Sequence, residues 1–433
     1  MSGQSNLGGR GILNAIVRLF LTSHLSIIFL IAALISGLAA VSSTPREEEP
    51  QIVVPLADVF VQMPGASAQE VENLVARPLE KLLWQIDGVE FVYSMSRRGM
   101  AIVTVRFYVG QDRERSLVKL HNRISMHMDQ VPPGVRGWVI KPVEIDDVPI
   151  VTLSLYGKDA FTLRRLGEEV LVRLEDLDDL SRTEVIGGYA RKIRVEPSLV
   201  KLSGHGLTIF HLSKAISGAD ASLDSGTFCE ADKVIEVSAG PYITSLSDLK
   251  NLVVGVYDGR PVRVDDVANI IDGPAERTTY TRIGFGPTCK NKGESQETVT
   301  LALAKKKGTN AVLVAQNIVD RIEKLKKTLI PEDVKILVTR NYGETADETV
   351  TELLYSLIYA IVSVVALISI AMGWREGLVV AAAVPVSFSL SLLVNWIAGF
   401  TINRVTLFAL ILSLGLVVDD PITNVDNIQR HIR

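Results

Sequence analysis

Two adjacent aspartates, Asp419 and Asp420, close the apolar run from Val405 to Val418. If that run is a membrane helix continuing to about Gln429, both carboxylates lie near the bilayer midplane, where an ionised acid costs at least ~2.5 kcal/mol. Residues three, four and seven apart share a helix face. Asp419, Thr423 and Asp426 then form one polar stripe, and Asp420, Asn424 and Asn427 form the stripe beside it. That face must look into protein or water rather than lipid. Two neighbouring carboxylates in a low dielectric cannot both hold a charge cheaply, so protons are taken up and released as the surroundings change. This is the chemistry of a proton relay. Pro421 follows the pair and lacks the N–H that the Val417 carbonyl would accept, which predicts a kink or a free carbonyl at that turn. The plainer reading is an amphipathic segment of a soluble protein with a solvated acidic end.

Three other apolar runs decide against that reading. Leu25 to Val41, Leu353 to Gly373 and Leu378 to Phe400 each approach or exceed the ~20 residues that cross ~30 Å of hydrocarbon. Four spans are expected, at residues 25–43, 349–374, 377–400 and 402–429. The stretch of mixed composition between the first and second is long enough for two or more domains with their own cores. The mildly positive mean hydropathy is the average of two different materials.

Short flanks set the orientation. Arg10 and Arg18 precede the first span, Arg375 lies between the second and third, and Arg430 and Arg433 follow the fourth. These ends belong in the cytoplasm, so the large domain faces the other side, which in a bacterium is the periplasm; the acidic Glu47-Glu48-Glu49 fits that. Ala40-Val41-Ser42 resembles a cleavage site, but the run before it is long for a signal core, and residues 1–24 read as a cytoplasmic or interfacial amphipathic helix. An uncleaved anchor is expected. Cys229 and Cys289 are too few and too far apart to argue a disulfide framework.

Inside the large domain the pattern is α+β. Val53 to Met63 reads as a strand, Ser67-Ala-Gln-Glu70 as a capping box opening a helix to Ile86, and Val89 to Ser94 and Ala101 to Val109 as a hairpin turning at Arg97-Arg98-Gly99. A second helix runs from Arg113 to about Met128. The unit is a split β-α-β sandwich, over residues 44–140. A similar unit follows over 141–196 and 273–348, interrupted at 197–272 by a subdomain of different texture. A cleft between the two sandwiches is where a ligand would be sought.

Thr44-Pro-Arg-Glu-Glu-Glu-Pro-Gln-Ile52, Met63-Pro-Gly-Ala-Ser-Ala-Gln-Glu-Val71, Arg77-Pro-Leu-Glu80, Ile86-Asp-Gly-Val89 and Gly415-Leu-Val-Val-Asp-Asp420 followed by Asp426-Asn427 resemble the resistance-nodulation-division (RND) efflux permeases, across the whole chain and in order. The resemblance implies four membrane helices with two ferredoxin-like porter subdomains and an inserted docking-like subdomain. It implies a homotrimeric inner-membrane secondary pump, with Asp419 and Asp420 as proton acceptors, working with a periplasmic adaptor and an outer-membrane channel. The paired acids are similar to the multidrug branch; heavy-metal exporters usually keep one acid followed by a small residue.

Departures accompany the likeness. RND permeases have two similar halves, and this chain matches the amino-terminal one; the lysine that pairs with the aspartates comes from the second half. Residues 1–433 are therefore expected not to transport alone. Pro421 replaces the usual alanine, and the family glutamate of this helix stands as Asp426. The porter positions that carry phenylalanine in multidrug members correspond to Thr152 and Ile186, the candidate substrate cleft. The alternatives are a non-transporting, membrane-anchored binding or assembly module, or a heavy-metal-type exporter.

Other features are weaker. In a helix, Met126-His127-Met128 would point apart, which makes a poor soft-metal site. Lys305 to Lys307 and Lys324 to Lys327 are balanced by acids to a net charge of -4, so nucleic acid is not an expected partner. With no phosphate-binding glycine loop and no nucleophile with its base, neither ATP hydrolysis nor another enzymatic activity or cofactor is expected.

Overall fold

A computed structural model describes residues 20, 24–50, 52–144, 147–219, 223–230, 232–239, 243–289, 293 and 295–432. The expected interfacial helix at 1–24 therefore lies almost wholly outside the described residues.

The first helix, α1 (Leu25–Ser43), buries only Ala33, Gly37 and Ala40 and leaves Ile27, Ile28, Ile35 and Leu38 exposed. An apolar helix exposed on most of its surface suits a lipid solvent. After it come β1 (Leu56–Gln62), a helix α2 over residues 68–84, β2 (Val89–Arg97), β3 (Met100–Phe107), α3 (Arg113–Met126) and β4 (Gly137–Val143). The strands form one antiparallel sheet in the order β2-β3-β1-β4, with Val59 opposite both Val103 and Ile140. Alternation along β1 and β3 sends Val59, Val61, Val103, Val105 and Phe107 to one face, where they bury with Leu83 of α2 and Leu120 of α3.

Local chemistry sets the ends of these elements. Glu70 N–H donates to Ser67 Oγ (3.3 Å), and Ser67 N–H donates to Glu70 Oε2 (2.8 Å), which closes the capping box at the start of α2. Pro78 cannot donate a backbone hydrogen bond, and just before it the helix widens to a π turn at Glu72–Ala76, where Arg77 N–H donates to Glu72 O. Asp112 caps α3. That helix stops at Met126, earlier than the sequence reading; His127 is its C-cap, and its Nδ1 lies 2.9 Å from Arg123 O.

The second unit is built alike from β5 (Pro149–Tyr156), α4 (Ala160–Leu174), β6 (Leu180–Ile186) and, much later, β14 (Ser295–Lys305), α9 (Ala311–Thr328) and β15 (Lys335–Asn341). Its strands pair in the order β6-β14-β5-β15, the same order as the first unit. Leu153, Leu155, Leu301, Leu303, Leu163 and Ile318 fill its core. Between β6 and β14 the chain leaves through β7 (Arg191–Pro197) and runs through two helices, α5 (Leu199–Gly204) and α6 (Ile209–Ala219). It continues as a hairpin, β8 (Leu223–Glu230) and β9 (Lys233–Ala239), and then α7 (Leu246–Asn251), β10 (Val253–Tyr257), β11 (Arg260–Arg263) and α8 (Val264–Val267). It returns by β12 (Ala268–Pro274), which pairs antiparallel with β7, and a short β13 (Arg282–Gly284) joins β14 at its start.

Asn341 ends β15 and also caps α10 (Tyr342–Ala371), its side chain accepting from Glu344 N–H at 3.2 Å. The second span therefore grows directly from the sheet. Helices α11 (Trp374–Ile397) and α12 (Arg404–Ile432) follow, and among the described residues four helices, α1, α10, α11 and α12, are long and apolar enough to cross a bilayer. Val380, Val384 and Phe388 of α11 bury against Leu357 and Ile368 of α10 and Leu414 and Val418 of α12. Gly37 of α1 sits directly on Ser389 of α11, the close approach that small residues allow between membrane helices.

Candidate functional site

Helix α12 starts at a built cap. Asn403, 2% exposed, accepts from Val405 and Thr406 N–H at 3.0 Å each, and Thr406 Oγ1 accepts from Asn403 N–H at 3.0 Å. From there the helix runs unbroken to Ile432, through Pro421. Two turns past the proline it is still helical, so the missing N–H at Pro421 is tolerated within the helix. At the same turn Thr423 Oγ1 donates to Asp419 O at 2.9 Å, a side-chain back-bond of the kind that bends helices slightly.

Leu407, Leu414 and Val418 turn into the helix bundle, while Asp419, Asp420, Thr423, Asn424 and Asn427 are exposed on the other side. The acid pair thus faces away from α10 and α11. Asp426 differs from its neighbours, being half-buried and ion-paired with Arg430 at 2.9 Å. The sequence reading missed this pair, though the i,i+4 spacing announces it. Among the described residues the other bases near the spans are also engaged. Arg404 pairs with Glu49, and Arg375 lies over the Trp374 ring at 5.6 Å.

Thr152 and Ile186 lie on β5 and β6, on either side of β14, opposite Ala302 and Thr300 respectively. Their sheet face is the one turned away from α4 and α9. It is lined by hydroxyls: Thr152 Oγ1 lies 2.9 Å from Thr339 Oγ1, and Ser154 Oγ lies 3.0 Å from Thr300 Oγ1. Ile186 is 42% exposed beside them. A separate groove of ≈ 670 Å³ lies between the two units, where Leu56, Arg113 and Glu144 of the first meet Val148 and Lys307 of the second. Neither Thr152 nor Ile186 lines it.

One buried cluster was not anticipated. Lys305, read from the sequence as part of a balanced basic run, is buried and ion-paired with Glu47, their side chains 6% and 4% exposed. The other Glu47 oxygen accepts from Thr401 Oγ1 at 3.1 Å. Backbone bonds lace the same segment together. Glu47 N–H donates to Ile402 O (3.0 Å), Ile402 N–H to Pro45 O (2.9 Å), Arg404 N–H to Glu48 O (3.0 Å) and Ala311 N–H to Arg46 O (3.1 Å). Arg46 also pairs with Asp347 of α10 at 2.9 Å. The segment after α1 is therefore strapped between the second unit and the α11–α12 turn.

A family model described as the AcrB/AcrD/AcrF family matches residues 16–433. The multidrug resistance protein MdtC of Yersinia pseudotuberculosis serotype O:1b (strain IP 31758) is 26% identical over 410 residues, covering 93% of this chain and 39% of the relative. The MdtC of Yersinia pestis bv. Antiqua (strain Angola) gives the same figures. The chain thus spans 39% of the length of the curated relatives it matches.

Proposed function

The chain belongs to the AcrB/AcrD/AcrF family, the RND permeases, and from that membership we propose that it is the amino-terminal half of a proton-driven exporter in which Asp419 and Asp420 carry the coupling protons. Permeases of this family are transporters rather than enzymes. The observation that carries the reading is the placement of the acid pair. Both carboxylates lie on the uncovered side of α12 among Thr423, Asn424 and Asn427, where bare hydrocarbon would be a prohibitive neighbour for a charge. A second protein surface bearing a cation is the natural cover. It lets each acid alternate between a paired, charged state and a neutral one.

In this reading the carboxy-terminal half supplies that surface, and the complete permease is a homotrimer in the inner membrane, joined in the periplasm to an adaptor and an outer-membrane channel. The two sheet units are ferredoxin-like porter subdomains, and the insertion is docking-like. Pro421 loosens α12 beside the acids so that protonation can move it. Thr152 and Ile186 border the substrate path. Their hydroxyl-rich surroundings favour substrates of the multidrug class that offer hydrogen-bonding groups alongside apolar surface, because a hydroxyl can both donate to and accept from such groups.

The deciding experiment reconstitutes the complete permease in proteoliposomes and imposes a pH gradient. Substrate flux against its own gradient, collapsing when a protonophore is added, is the expected result. Flux indifferent to the protonophore would remove proton coupling from the reading.

A further inference from the structure

We propose that Glu47 and Lys305 are positioning residues that couple the movement of α12 to the second sheet unit; the inference rests on the export reading above. The pair joins three parts of the chain at one buried point. Lys305 ends β14, Glu47 belongs to the segment after α1, and Thr401, bonded to the second Glu47 oxygen, sits in the turn that leads into α12. From the Asn403 cap the helix continues unbroken to the acids, roughly 24 Å away at ~1.5 Å rise per residue. A rod of that kind carries displacement at Asp419 and Asp420 back to its own start. Through Thr401 and Glu47 that displacement reaches Lys305 and the sheet.

Burial singles this pair out. Arg46–Asp347 and Arg404–Glu49 flank it, but their side chains are 30% to 59% exposed, where screening by water leaves an ion pair contributing little. Glu47 and Lys305 are almost wholly enclosed. A buried ion pair is commonly no more stabilising than well-packed apolar side chains, yet it fixes one geometry where an apolar contact can slide. Fixed geometry is what a mechanical link requires.

The test uses the complete permease in proteoliposomes, with E47M/K305M as the central variant, since it removes both charges and leaves neither buried alone. Thermal stability and assembly should match the wild type. Maximal gradient-driven flux should fall at least ~10-fold with the half-saturating substrate concentration unchanged, the pattern for a lost rate-step interaction rather than lost binding. The exchanged pair E47K/K305E should recover part of the flux, because the Thr401 hydroxyl can accept from a lysine as readily as it donates to a glutamate. Wild-type flux in E47M/K305M would overturn the proposal and leave the pair a static staple, as would a stable E47K/K305E protein that recovers nothing. If E47M/K305M fails to fold, E47K/K305E alone decides on the same criterion. Absence of gradient-driven flux in the wild type would instead defeat the export reading, and this inference with it.

Discussion

Asp426 is ion-paired with Arg430 one turn further along α12, whereas Asp419 and Asp420, about two turns earlier on the same helix, lie exposed with no base at hand among the described residues. The three acids are therefore not equivalent. Asp419→Asn or Asp420→Asn in the complete permease should abolish gradient-driven flux while folding and assembly persist. An amide keeps the shape but cannot cycle a proton, and each proton entering yields ~2.3 kcal/mol per 100 mV of membrane potential. Asp426→Asn should be mild, since an i,i+4 pair on a helix surface contributes only about 0.3–0.5 kcal/mol. Full flux in either of the first two variants would take the acid pair out of the mechanism.

The contact of Gly37 with Ser389 fixes how closely α1 approaches α11. A Cβ added at Gly37 would collide with the Ser389 side chain and its backbone Cα. Gly37→Val should therefore destabilise the membrane part by about 1–3 kcal/mol, the usual cost of overpacking. Thermal unfolding in detergent would measure it. A midpoint equal to that of the wild type would mean that the two helices are not pressed together there.

Asp159 caps α4, accepting from Thr162 N–H at 3.0 Å, and this backbone bond, with further bonding from Thr162, holds its carboxyl below the usual carboxylate range. The sign follows from that depression. The cap's ionised contribution is present above the unfolded pKa of about 3.9 and is lost as pH falls through the lower folded value. The group is largely solvated, so the effect is small. Asp159→Asn, which can still cap, should flatten the fall in stability below about pH 4 without lowering stability at pH 7. An unchanged acid limb in the variant's stability profile would contradict this.

Arg97 and Arg98 lie exposed at the tip of the β2–β3 hairpin, far along the chain from any span. In the proposed topology this tip is periplasmic. Trypsin added to intact spheroplasts should cut there or nearby, and protection until the membrane is broken would reverse the orientation.

Contacts within a few residues were legible in the sequence, and those across the chain were not. Ser67 and Glu70 read as a capping box because both partners lie within one turn, and that is how they bond. The polar stripes of α12 follow from helical period alone; Asp419, Asp420, Thr423, Asn424 and Asn427 of those stripes are exposed, and Asp426 is half-buried. Lys305 and Glu47 are 258 residues apart. Each looked like a member of a local charge run, and no periodicity connects them. The seven-residue lead of α10, from Tyr342 to Glu348, lay outside the expected span, because its polar residues precede the apolar run that marks it; Gly343 packs there against Ala311 and Ala315 of α9 instead.

In the first unit β2 and β3 are joined by two residues, Arg98 and Gly99, the latter at φ 77° where glycine is at ease. In the second unit the matching connection, from β6 to β14, holds residues 187–294 and a whole subdomain. The guest departs and returns side by side, Arg191 opposite Pro274, so the host sheet closes in the same order whether the visitor is large or absent. That makes the Arg98–Gly99 tip a natural splice point. A fluorescent protein inserted there on two short linkers would ride on the first unit without disturbing its core, and could serve as a live tag for watching the permease assemble in cells.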